Sequence, residues 1–172
     1  MHRYLQAALD EVDAAAGALD TSAIARPVEG RWSIAEILEH LTLAFTLNSA
    51  ALEKAIATGE RRARPPGLLQ WLGRMVVVEA GYFPRARAPE KTMPAGSIPA
   101  ARSLEAIRDA LTDLDVTLCR AEQEFGEHVR VANHPYFAGM TVAQWRKFHW
   151  RHTQHHMRQV RERAARREPI AR

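Results

Sequence analysis

Half of the eight histidines fall within eight residues near the C-terminal end: His149, His152, His155 and His156. If this stretch is helical, Val142 and Trp145 set an inward stripe that continues at three- and four-residue steps through His149, His152 and His156. Imidazoles therefore stand where apolar core is expected. His155 falls roughly 100° from His156 around the axis and reads as peripheral. His152 and His156 are an i,i+4 pair with Cβ atoms about 5–6 Å apart, which lets both rings reach one ion. The third ligand this needs is His40, with Ile37 and Ala44 one turn before and after it on the inner side of another helix. Three neutral nitrogens from two facing helices suit Zn²⁺, Ni²⁺ or a similar divalent ion at about 2.0–2.1 Å, with positions left open for water or substrate. The competing reading is structural, each ring being a core histidine bonded to its own carbonyl or carboxylate. One ion satisfies several buried rings together, whereas the structural reading needs a separate partner for each.

The helices that must position these residues are marked by their caps. Ser33 with Glu36 forms a capping-box pattern, apolar residues recur at Ile34, Ile37, Leu38, Leu41, Ala44, Phe45, Leu52 and Ala55, and Gly59 supplies a stop. Thr141 with Gln144 opens the histidine-bearing helix, which is predicted to run to about Arg166. A first helix is predicted over Arg3 to Ala18, and another from Ser103, with Ile107, Leu111, Leu114 and Leu118 inward, ending before Gly126. Six of the nine prolines lie between Glu60 and Arg102, so residues 60–102 read as a long connection carrying a short helix from about Leu68 to Ala80. Residues 133–140 have the composition of a compact loop, and no strand-like alternation of useful length appears. The pattern predicts one all-α domain over residues 1–172, a four-helix bundle with one long crossover.

Two motifs resemble a known family. Trp32-Ser-Ile-Ala-Glu-Ile-Leu-Glu-His40 resembles the W-S-x-x-E-x-x-x-H signature on the second helix of the DinB-like superfamily. His134-Pro-Tyr-Phe-Ala-Gly-Met-Thr141, followed by the run from Phe148 to Gln159, is similar to a bacterial branch of that superfamily with H-P-F-F-G-x-L-T and H-x-x-H-H-x-R-Q signatures. The resemblance implies a DinB-like bundle with a metal triad of one histidine from the second helix and two from the last, here His40, His152 and His156. It also implies metal-assisted transfer or hydrolysis, with a low-molecular-weight thiol or water as the activated group and a small molecule as substrate. His149, Gln159 and His134 are candidates to support the ligands or to face substrate. Cys119, a lone helical cysteine beside Leu118, reads as a small hydrophobe rather than a nucleophile.

Composition narrows the alternatives. At 172 residues, with 47% hydrophobic and 26% charged, the chain has the proportions of one globular domain. The net charge of +4 resides in residues 158–172, where six arginines face Glu162 and Glu168. The rest balances at 18 basic and 18 acidic. That tail, residues 167–172 at its extreme, carries no aromatic residue, which argues against nucleic acid as partner. The N-terminal stretch lacks an apolar export run, and one cysteine fits a reducing compartment, so a cytoplasmic protein without membrane spans is expected. The segment 67–83 is more apolar than a connection requires and is expected to cover the site or to form a homodimer surface. A non-catalytic alternative also stands, a stress-responsive bundle that binds metal for stability or interacts with another protein.

Overall fold

In a computed structural model, residues 1–60, 63–84 and 87–165 are described. The described chain is predominantly helical, with six α-helices and one two-stranded sheet. Four helices are long: α1 (Arg3–Ala16), α3 (Ile34–Thr58), α5 (Ser103–Phe125) and α6 (Val142–Ala164). Two are short, α2 (Thr21–Ala25) and α4 (Leu68–Arg74). Packing is most extensive between α3 and α5 and between α1 and α6. The core between them contains the predicted stripes of α3 and α5, with Ile37, Leu41, Phe45, Leu52, Ile107, Leu111 and Leu118 fully buried, and Leu5 and Val12 of α1 and Met157 and Val160 of α6 are fully buried beside them.

The caps act as the sequence implies. Ser33 Oγ accepts from the Glu36 amide, and Glu36 Oε2 accepts from the Ser33 amide at 2.7 Å. Thr141 and Gln144 make the same reciprocal pair at the start of α6. Gly59 ends α3 at φ +62°, a left-handed conformation that glycine adopts without Cβ strain. The first helix closes two residues earlier than Ala18, at Ala16, and α6 ends at Ala164 rather than near Arg166. The extreme tail, 167–172, lies outside the described residues. Helix α2 was missed for its brevity, although Asp20 caps it by accepting from the Ala23 amide at 2.8 Å.

The long connection contains more helix than proline content suggests. After α4 the chain widens into a π-helical turn, Met75–Glu79, and 3₁₀ turns follow at Glu90–Thr92 and Ala100–Arg102.

The expected loop before α6 is a correction. Strands β1 (Arg130–His134) and β2 (Ala138–Thr141) pair antiparallel, with Ala132 opposite Met140 and His134 opposite Ala138. Five and four residues are too short for alternation to register, and burial of Ala138, Gly139 and Met140 in succession erases it. Gly139 is required by contact rather than by its dihedrals. Its amide donates to Arg64 O at 2.9 Å, and a Cβ there would lie 2.5 Å from that same oxygen. This close approach ties the hairpin to the start of the crossover. Gly139→Ala is therefore expected to destabilise the fold by about 1–3 kcal/mol, since backbone must move to admit the methyl. Urea denaturation checks it, and an unchanged midpoint would remove the close approach as a constraint.

Candidate metal centre

His40 is nearly two turns into α3 on its buried face, and His152 and His156 project from α6 across from it. All three present Nε2 to a common point. His152 Nε2 lies 3.4 Å from His40 Nε2 and 3.1 Å from His156 Nε2. One ligand atom from each of the three falls within 4.8 Å of the others. A tetrahedral ion with Zn–N distances of 2.0–2.1 Å holds its nitrogens about 3.3–3.4 Å apart, so the spacing matches the ion.

The opposite ring nitrogens explain why these atoms are available. His40 Nδ1 donates to the Thr92 carbonyl at 2.7 Å, and His156 Nδ1 donates to Gln159 Oε1 at 3.2 Å. With those protons held outward, Nε2 of both rings carries a lone pair directed inward. A proton on His152 Nε2 serves one of its neighbours at a time, whereas a cation accepts all three lone pairs. The residues present therefore fit a divalent ion. Burial, reinforced at His152 and His156 by neighbouring imidazoles, pushes both well below the ordinary histidine value. Burial also lowers His40, against the bond to Thr92. The triad is neutral near pH 7 and needs no deprotonation to act as ligand.

Aromatic rings enclose it. The Trp32 ring lies 5.0 Å from His40 and 6.4 Å from His156. Phe148 stacks on His152 at 5.3 Å, and Phe83 stacks on His152 at 5.7 Å and on His155 at 4.8 Å. His40 and His156 are buried, and His152 is half-buried between Phe83 and Phe148.

Residues 90–97 of the crossover strap the site from behind. Besides the Thr92 carbonyl on His40, Glu39 accepts from the amides of Ala95, Gly96 and Ser97 and from Ser97 Oγ, at 2.6–3.3 Å. Burial alone would raise the Glu39 pKa, but these four bonds outweigh it and hold the carboxyl below the ordinary range. Neither Glu39 nor Thr92 was anticipated. The only local signal was a carboxylate between Leu38 and His40 on a buried stripe, and its donors lie more than fifty residues away.

The other candidates separate. Gln159 joins the site by bridging, since its amide nitrogen donates to His155 Nε2 at 3.0 Å while its oxygen holds His156. His155, expected to be peripheral, is half-buried under Phe83. His149 is buried farther along α6, where it accepts from Asn48 Nδ2 at 3.3 Å and packs against Phe45 and Trp145. Its Nδ1 has no hydrogen-bond partner among the described residues. His134 stands apart at the hairpin turn, stacked on Phe137 at 4.5 Å and edge-on to Phe148 at 4.7 Å, with Nδ1 accepting from the Tyr136 amide. Burial pushes His134 down to about 4 and His149 to about 3.

The chain belongs to the family described as Protein of unknown function (DUF1569), whose model matches residues 2–163. No curated protein and no solved structure matches it.

Two outcomes follow from this geometry. Glu39→Ala leaves three amides and a hydroxyl without their acceptor, and is expected to cost about 3 kcal/mol and to speed amide exchange at Ala95, Gly96 and Ser97. Unchanged exchange there would show that the strap does not depend on Glu39. The second concerns pH. His149 has a folded-state pKa far below its unfolded value of 6.5, so its neutral form supports folding fully above pH 6.5 and progressively less below it. Between pH 7 and 5 the metal-free protein should lose about 2 kcal/mol more stability than a His149→Gln variant. Equal losses in the two proteins would refute this assignment.

Proposed function

We propose that this member of the DUF1569 family is a metal-dependent enzyme of the DinB-like type, acting on a small molecule with a thiol or water as the activated group. The convergence of three Nε2 atoms, two of them with Nδ1 protons held elsewhere, carries the proposal. Two long helix pairs, α3 with α5 and α1 with α6, support a four-helix bundle of that type, with residues 60–102 as its crossover. His40, His152 and His156 are the proposed ligands, with Zn²⁺ or Ni²⁺ as the ion suited to an all-imidazole set. Such an ion supplies Lewis acidity, lowering the pKa of a thiol or water in its open position and so producing a nucleophile near neutral pH.

The chain's own contributions are binding and shape. Thr92 and Gln159 hold the Nδ1 protons of His40 and His156 and so keep both rings in the ligating tautomer. No carboxylate enters the triad, so the bound ion keeps its full positive charge. Trp32, Phe83 and Phe148 exclude bulk water from three sides and strengthen charge interactions within. These residues supply no serine or cysteine nucleophile, which supports an attacking group carried by a second small molecule.

A second reading, a metal-stabilised interaction bundle without turnover, is favoured by one observation, the outward apolar face of α4. Elemental analysis of untagged protein tests the metal centre. About one equivalent of a divalent ion is expected in the wild type, falling at least tenfold in His40→Ala, His152→Ala and His156→Ala, each of which leaves only two ligands. A wild-type protein that is metal-free and cannot be reconstituted would overturn the site. A loaded protein inert toward a panel of thiols and electrophiles would favour the interaction bundle.

A further inference from the structure

We propose that the outer face of α4 and the turn that follows it is the contact surface between two copies of this chain. Six large apolar side chains point outward over nine residues. Leu68 is 73% exposed and Leu69 83%, while Trp71, Leu72, Met75 and Val76 are each 40–45% exposed. The segment has not simply been rotated the wrong way, because its inner face is also used. Gly73 lies against the Phe137 ring, Val77 and Val78 are buried, and Arg74 is buried with its guanidinium donating to Gly139 O. The inner face is covered, and among the described residues nothing covers the outer one.

Three observations select a second copy as the occupant. The first is area: at full side-chain areas of about 150–250 Å² each, these exposures leave on the order of 600 Å² uncovered, so two faces together remove about 1,200 Å², where stable specific interfaces begin. The second is charge. Arg74 is the only ionisable residue from 68 to 78 and it is buried, so the face selects no charged partner and repels no copy of itself. The third is uniqueness. Among the described residues, the exposed large hydrophobics outside this segment and nearby Tyr82 are Met1, Leu47, Val116 and Tyr136, dispersed over other elements. A patch with no complement elsewhere among the described residues pairs with itself, which gives a closed twofold dimer rather than an open chain.

The surface bears on the site as well. The same segment runs on through Tyr82 to Phe83, whose ring packs on His152 and His155. Pairing across α4 braces the strand of chain that holds this ring over the triad.

Sedimentation equilibrium of the 172-residue chain tests the proposal independently of metal content. Twice the 19.3 kDa chain mass is expected at concentrations of about 10 µM and above. Leu69→Glu and Leu72→Glu should raise the dissociation constant at least 100-fold, and their outward positions predict monomers that keep the wild-type helical content and a cooperative thermal transition. In a Cys119→Ser background, Leu69→Cys should cross-link to itself with a short bismaleimide, whereas Val116→Cys on α5 should not. A wild-type monomer at about 100 µM overturns the proposal, whether or not it co-sediments with phosphatidylglycerol vesicles. A dimer that survives Leu69→Glu and Leu72→Glu, or that cross-links through Val116→Cys alone, overturns it equally.

Discussion

Three imidazole lone pairs aimed at one another inside a helical core repel unless something positive stands between them. Much of this molecule is arranged around that constraint. The nitrogens converge because two Nδ1 protons are fixed away from the centre, one on a backbone carbonyl and one on a side-chain amide. Release of either proton lets a ring flip its tautomer and turn a donor inward. The hydrogen bonds behind the ligands are thus as necessary to the centre as the ligands themselves. His152 lacks such a partner at Nδ1, and its ring is held instead by Phe148 and Phe83. Stacking orients the third ring, whereas the tautomer is fixed by hydrogen bonding only in the other two.

The same constraint explains the crossover. A connection of more than forty residues, rich in proline, is broken into short helical pieces, and its closure costs entropy. Two adjacent residues of α3 offset that cost at one place. Glu39 gathers three successive amides and a hydroxyl, and His40 takes the Thr92 carbonyl. Proline contributes here by limiting the conformations the free strap samples. The far side of the crossover is fixed by Gly139 on Arg64 and by Phe83 on the histidines. An irregular segment becomes part of the site because its ends and its middle are bonded to regular elements.

Legibility in the sequence followed the range of the interactions. The long helices were legible because Ser33–Glu36, Thr141–Gln144 and Gly59 act within a few residues, and because the apolar stripes of α3 and α5 keep helical period. His40, His152 and His156 were legible for the same reason, being polar rings on otherwise apolar stripes. Thr92 was not, since a carbonyl has no residue type and its partner is 52 positions away. Glu39 was overlooked because a carboxylate on a helix is ordinarily solvated, and its donors come from the strap. The hairpin was lost because residues 138–140 are buried on both faces, which removes the period-two signal. His149 and His134 show the converse, since both stand near the motif in sequence yet their rings bond elsewhere.

His149 sharpens what a polar core can mean. Its Nε2 accepts from Asn48, which leaves the proton on Nδ1, and that donor has no partner among the described residues. The Thr153 hydroxyl one turn on, and the Trp145 indole nitrogen one turn before, are likewise buried without partners. An apolar residue at position 149 would avoid an orphaned donor, so packing alone does not account for histidine there. The ring does keep a neutral, weakly basic group beside the ligands, close enough that charge on His149 bears on His152. Because burial holds His149 near pKa 3, it stays uncharged through the physiological range and would add no repulsion to a cation at the proposed centre. A lysine or arginine on this stripe would oppose the ion, and a carboxylate would neutralise it. Neutral imidazole would preserve the charge on which the proposed Lewis acidity depends.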